Sequence, residues 1–137
     1  MKNLTIQANF YDEYRIVRDI DEGSFAKVVM AERKSDLKTF AVKVFVKDKI
    51  SKSETKIKSL KNEIQILRKL NHKLVNKFYE VHENNQNVFL VLEHIKGEQI
   101  FDYTKRVKFD LAAIQNVMKT ILGALAYLSS IDVMHRD

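Results

Sequence analysis

The sequence predicts an α+β fold in which strands come first and helices follow. Three observations predict it. Five short runs with period-two alternation or β-branched enrichment lie between Tyr14 and Glu93. One amphipathic stretch with helical spacing separates the third run from the fourth. A wide apolar stripe at helical spacing occupies 111–128.

Residues 1–13 are a lead-in without a clear period. Tyr14 to Ile20 alternates around Tyr14, Ile16 and Arg18, which predicts a first strand. Ala26 to Glu32 predicts a second, and Lys34 to Lys38 a polar turn. Thr39 to Val46 is rich in β-branched residues and predicts a third. Ser51 and Glu54 have capping-box spacing, so a helix is expected to begin there. Ile57, Leu60, Ile64 and Leu67 continue it at spacings of three and four, and Asn71 is the expected terminator. Phe78 to His82 predicts the fourth strand, 84–87 a turn, and Val88 to Glu93 a buried fifth strand. Asp110 is a good N-cap, with Phe109 and Ile114 at staple spacing around it. Leu111, Ile114, Met118, Ile121, Leu122, Leu125 and Leu128 then form the stripe, with Ala112, Ala113, Gly123, Ala124 and Ala126 permitting close approach. Such a helix expects burial on more than one side.

Composition bounds the function. The 137 residues are 45% apolar and 31% charged, an ordinary balance for a globular chain. There is no cysteine, which excludes disulfides and thiolate metal sites. No apolar run approaches the length of a membrane span, and residues 1–6 are too polar for a secretory signal. A cytoplasmic address is the default expectation, with a nuclear one also open. The net charge is +6, and 43–77 holds eleven Lys/Arg against three Asp/Glu. Without interleaved aromatic residues or zinc spacing this reads as the solvated face of a lysine-rich helix, so no nucleic-acid partner is expected.

The chemistry concentrates between Ile20 and Lys43. A loop carrying Gly23, Ser24 and Ala26 joins two alternating runs, and the third strand carries Ala41-Val42-Lys43. Small residues let backbone N–H groups approach an anion, and one ammonium adds a point charge, so the arrangement suits phosphates. On a strand Ala41 and Lys43 share one face and Val42 and Val44 the other. A lysine on a half-buried strand wants an anion, either a phosphate or a carboxylate; the alternative is an edge lysine that snorkels to water. Glu63 lies three residues after Leu60 and four before Leu67, on or beside the apolar stripe, and wants a cation. Lys43 is the obvious one.

These residues resemble the protein-kinase family, most closely Ser/Thr kinases of the calcium/calmodulin-dependent type. The family pattern is G-x-G-x-x-G-x-V followed by V-A-I-K. Gly23 matches the middle glycine, Val28 the valine and Ala41-Val42-Lys43 the strand, while Asp21 and Ala26 replace the first and third glycines. Asn62 to Leu67 and Leu70-Asn71-His72 resemble the helix that supplies the lysine's glutamate partner and the loop after it. Gly97-Glu98-Gln99-Ile100-Phe101 resembles G-G-E-L-F, and His135-Arg136-Asp137 the start of H-R-D-L-x-x-x-N. The resemblance covers 14–137.

It implies a kinase N-lobe over 14–95, a five-stranded antiparallel sheet with one packed helix, and over 96–137 the hinge exit and the first helices of an incomplete α-helical C-lobe. The implied activity is transfer of the ATP γ-phosphoryl group to a protein hydroxyl. ATP would meet Ile20, Asp21, Glu22, Gly23, Ser24, Phe25, Ala26, Val28, Ala41, Lys43 and Glu63, with Leu92 guarding the back of the adenine pocket. The backbone of Glu93 and Ile95 would bond the adenine edge. Lys43 and Asp137 are the implied catalytic residues, Asp137 as the base that accepts the hydroxyl proton. The family's Mg²⁺ ligands would come after Asp137, so none is assigned here, and the chain by itself is expected to be inactive. ATP and a protein substrate are the expected partners, with a docking partner on the 111–128 helix. The alternative reading is a non-catalytic half-kinase that binds a nucleotide or a partner.

Overall fold

The structure is a computed structural model and describes residues 9–23 and 26–135. It divides into two compact units. The first takes the chain to Leu70 and resumes over Lys77–His94; the second takes Asn71–Asn76 and the chain from Ile95.

The first unit runs α1 (Phe10–Glu13), β1 (Tyr14–Glu22), β2 (Lys27–Arg33), β3 (Thr39–Val46), α2 (Lys47–Ser51), α3 (Glu54–Lys69), β4 (Phe78–Glu83) and β5 (Asn87–Glu93). The strands form one antiparallel sheet in the order β1-β2-β3-β5-β4. All five predicted strands are present, each within two residues of its expected ends.

Alternation buries both faces of the sheet. Phe40 and Val42 of β3 and Phe89 and Val91 of β5 join Phe10, Tyr14, Val29 and Ala31 in one core. Phe45, Val88 and Leu90 turn the other way and pack with Ile50, Leu60, Ile64 and Val81 in a second core beneath α3. A strand buried on both faces reads as a continuous apolar run, which is why Val88 to Leu92 shows no alternation.

The lead-in holds a feature without a sequence signal. Phe10 is fully buried and stacks on both Tyr14 and Phe89, at 5.1 and 4.3 Å between centroids. One turn of helix is too short to show a period, so α1 is visible only through its packing.

The helix start is corrected. Ser51 closes α2, a separate short helix that buries Ile50, and Ser53 caps α3 by accepting from the Lys56 N–H at 3.4 Å. The end is corrected too. α3 stops at Lys69 with Leu70 extended, and the Asn71 N–H donates to the Tyr127 hydroxyl at 2.7 Å within the second unit.

That unit contains α4 (Ile100–Thr104) and α5 (Leu111–Ser130). Asp110 caps α5 as expected, its Oδ1 accepting from the Ala113 N–H at 2.7 Å. The expected burial of α5 on several sides is not met. Leu128 is its buried residue, while Leu111, Ile114, Met118, Ile121, Leu122 and Leu125 are exposed. α5 is also the one helix among the described residues long and apolar enough to cross a membrane, a test that core helices of soluble proteins pass as well.

Candidate functional site

The strands place the site by register. Val28 lies opposite Lys43, and Lys43 opposite Leu90; Met30 lies opposite Ala41, and Ala41 opposite Leu92. Directly opposed residues share a face. Because Val29, Phe40, Val42, Phe89 and Val91 turn toward α1, their alternates Val28, Ala41, Lys43, Leu90 and Leu92 turn toward the α3 side.

On that face Lys43 meets Glu63. Nζ donates to Oε1 at 2.8 Å, with the two side chains 33% and 34% exposed. Leu60 and Ile64 anchor α3 on either side of Glu63, so the carboxylate is held by core packing. The ammonium also lies 5.1 Å from the centre of the Phe45 ring. Sequence reasoning did not assign Phe45, although its position two residues after Lys43 puts it on the same face. At one-third exposure the pair is neither sealed nor fully solvated. It holds the ammonium in place while leaving it reachable by a second anion.

The loop is tight. The Gly23 N–H donates to the Ala26 carbonyl at 2.9 Å, and the Glu22 N–H donates to Asp21 Oδ1 at 2.8 Å. A Cβ at Gly23 would lie 3.5 Å from the Ala26 oxygen, an ordinary contact, so space alone does not demand glycine there. Ser24 and Phe25 lie outside the described residues.

The structure thus gathers Val28, Ala41, Lys43, Glu63 and Leu92 on one side of the sheet. Ile20, Asp21 and Glu22 are exposed at the end of β1, and Ala26 packs against the core beneath α3. Glu93 ends β5 and is exposed; its N–H donates to the Lys77 carbonyl at 2.8 Å. Ile95 belongs to the second unit and is 66% exposed. Asp137 lies outside the described residues.

A second polar cluster sits on the opposite face. The Tyr14 hydroxyl donates to Glu80 Oε1, and His82 Nε2 lies 3.0 Å from the same oxygen. Burial raises the Tyr14 phenol above its ordinary range, and the adjacent Glu80 carboxylate raises it further. For Glu80, burial pushes the pKa up, but hydrogen bonds from His82 and Tyr14 outweigh it and hold the carboxyl below its ordinary value. The sequence signal for this cluster is slight: Glu80 and His82 are two apart on one strand.

Comparison with known proteins places this geometry in context. The protein kinase domain family matches residues 14–137. The chain is 38% identical over 128 residues to Calcium-dependent protein kinase 5 of Plasmodium falciparum (isolate 3D7), covering 92% of this chain and 22% of that protein. It is 32% identical over 137 residues to Calcium/calmodulin-dependent protein kinase type 1 of Caenorhabditis elegans, covering 98% and 37%. Against Myosin light chain kinase A of Dictyostelium discoideum it is 30% identical over 125 residues, covering 90% and 42%. The chain therefore spans between a fifth and about two-fifths of the length of these relatives.

Proposed function

Since the chain belongs to the protein kinase domain family, we propose that it supplies the ATP-binding lobe of a protein serine/threonine kinase that transfers the γ-phosphoryl group of ATP to a protein hydroxyl. The observation that carries the reading is the Lys43–Glu63 pair at 2.8 Å, on the sheet face that also presents Val28, Ala41 and Leu92. Those residues fit the nucleotide. Val28, Ala41 and Leu92 offer an apolar surface for a base, and the one-third-exposed Lys43 ammonium offers a charge for phosphate oxygens. Glu63 keeps Lys43 pointed at them, so less side-chain entropy is lost on binding. Bound ATP supplies the transferable phosphoryl group, and Mg²⁺ neutralises charge on its phosphates. Asp137 is the proposed base, on its match to the family motif. No residue of this chain is assigned to Mg²⁺.

The same reading gives the α5 stripe a protein neighbour and the protein a cytoplasmic setting. Identity to relatives named as calcium- or calmodulin-dependent kinases supports a serine/threonine substrate class.

Calorimetric titration of MgATP into the chain, beside Lys43→Met, tests the proposal. Binding by the wild type and at least about tenfold weaker binding by the variant, a difference of about 1.4 kcal/mol, is the expected result. Two folded proteins that both fail to bind would overturn it and favour the non-catalytic, partner-binding reading. Asp21, which puts a carboxylate where the family's loop carries glycine, is the residue that favours that second reading.

A further inference from the structure

On the face of the sheet away from Lys43, three donor groups converge from two elements. Glu13 ends α1, and Glu80 and His82 stand two apart on β4. One ligand atom from each lies within 4.8 Å of the other two. His82 Nε2 and Glu80 Oε1 are already 3.0 Å apart. In a tetrahedral site with bonds of about 2.0–2.2 Å, ligand atoms stand roughly 3.3–3.6 Å from one another, so small side-chain shifts suffice.

We propose that Glu13, Glu80 and His82 form a zinc site that clamps α1 onto β4. Two carboxylates and a neutral imidazole supply two negative charges for a divalent ion, leaving a fourth position for water. The imidazole selects against Mg²⁺ and Ca²⁺, which take oxygen ligands. A second observation is independent of the acidic pair. His82 is the buried polar residue among the described residues, at 0% exposure, and is set edge-on against Phe10 and Tyr14 at 5.8 and 5.6 Å. An apolar, aromatic wall lowers the local dielectric around the donors.

The outer layer is also built. The Tyr14 hydroxyl donates to Glu80 and orients its carboxylate, as partners of metal-bound carboxylates do. Glu13 is held from behind, its carbonyl accepting from the Lys34 N–H at 2.8 Å. The nearby cation is Arg33, whose guanidinium pairs with Asp36 at 3.0 and 2.6 Å and also acts on Tyr14 and Glu80, so zinc must compete with it for the Glu80 carboxylate.

The test is thermal unfolding of the 137-residue chain with Zn²⁺ or Mg²⁺ added, together with visible absorption on adding Co²⁺. The variants are Glu13→Gln and His82→Phe. Zn²⁺ in excess is expected to raise Tm by about 5 °C or more, with Mg²⁺ inert. Co²⁺ is expected to give the intense visible bands of a tetrahedral site. Glu13→Gln keeps shape and hydrogen-bonding size, so its metal-free Tm stays near wild type while the zinc shift and the cobalt bands are lost. His82→Phe should lose both as well; if it fails to fold, Glu13→Gln decides alone. No zinc shift in the wild type would overturn the proposal, and so would an equal shift in Glu13→Gln, since the metal would then be bound at another place.

Discussion

Lys43 and Glu63 show how little stability a partly exposed ion pair need contribute. Both side chains are about one-third exposed, and pairs of that kind are worth at most about 1 kcal/mol. Lys43→Met is therefore expected to shift unfolding in urea by no more than about 1 kcal/mol while weakening nucleotide binding at least about tenfold. Tyr14 behaves in the opposite way. It is 1% exposed and donates to Glu80, so Tyr14→Phe should cost about 1–3 kcal/mol. The phenol's pKa is raised in the fold, so its contribution is complete below the ordinary tyrosine value of 10.0 and is lost as pH rises above it. Glu80 has the opposite sign. Its lowered pKa gives stability that is present above the ordinary value of 4.5 and is lost as pH falls. Denaturant unfolding of wild type and Tyr14→Phe between pH 7 and 11 should show the two converging at the alkaline end.

At the scale of the element, α3 is the lever that sets Glu63. Its inward face is held by Leu60 and Ile64, and Ile64 is 1% exposed. Ile64→Ala should cost about 2–4 kcal/mol and also weaken ATP binding, because the carboxylate loses its anchor. Ser53→Ala removes only a cap and should cost about 1 kcal/mol with binding retained. Comparing urea midpoints with ATP titrations for the two variants separates packing from capping. The sequence placed this helix well through Ile57, Leu60, Ile64 and Leu67 but misplaced its start. Ser51 has Glu54 at capping-box spacing while Ser53 has Lys56 three residues on, so the local signal favoured Ser51; the short helix α2, which ends at Ser51, makes Ser53 the cap.

Across the whole molecule the two faces of the sheet do different work. The α3 face carries the candidate nucleotide residues, and the α1 face carries the aromatic core with its Tyr14–Glu80–His82 network. The exposed stripe on α5 is a large apolar surface of the sort that drives association. Replacing Leu122 and Leu125 by lysine should raise solubility and reduce light scattering. It should leave ATP binding unchanged, since Val28, Ala41, Lys43, Glu63 and Leu92 belong to the first unit.

The sequence alone determined the five strands, the Lys43 and Glu63 pairing and the capped helix from Asp110, because each leaves a short-range periodic or charge-compensation signal. The family resemblance rested on the same local motifs. The tertiary structure alone decided that Phe10 belongs to the core, that Ser53 rather than Ser51 caps α3, and that Glu13 meets Glu80 and His82. The first and third depend on contacts between segments tens of residues apart, and the second on α2, whose Ile50 packs into the core with Val81, Val88 and Leu90. A single turn of helix, two serines two residues apart and three scattered polar side chains carry no period from which such contacts follow.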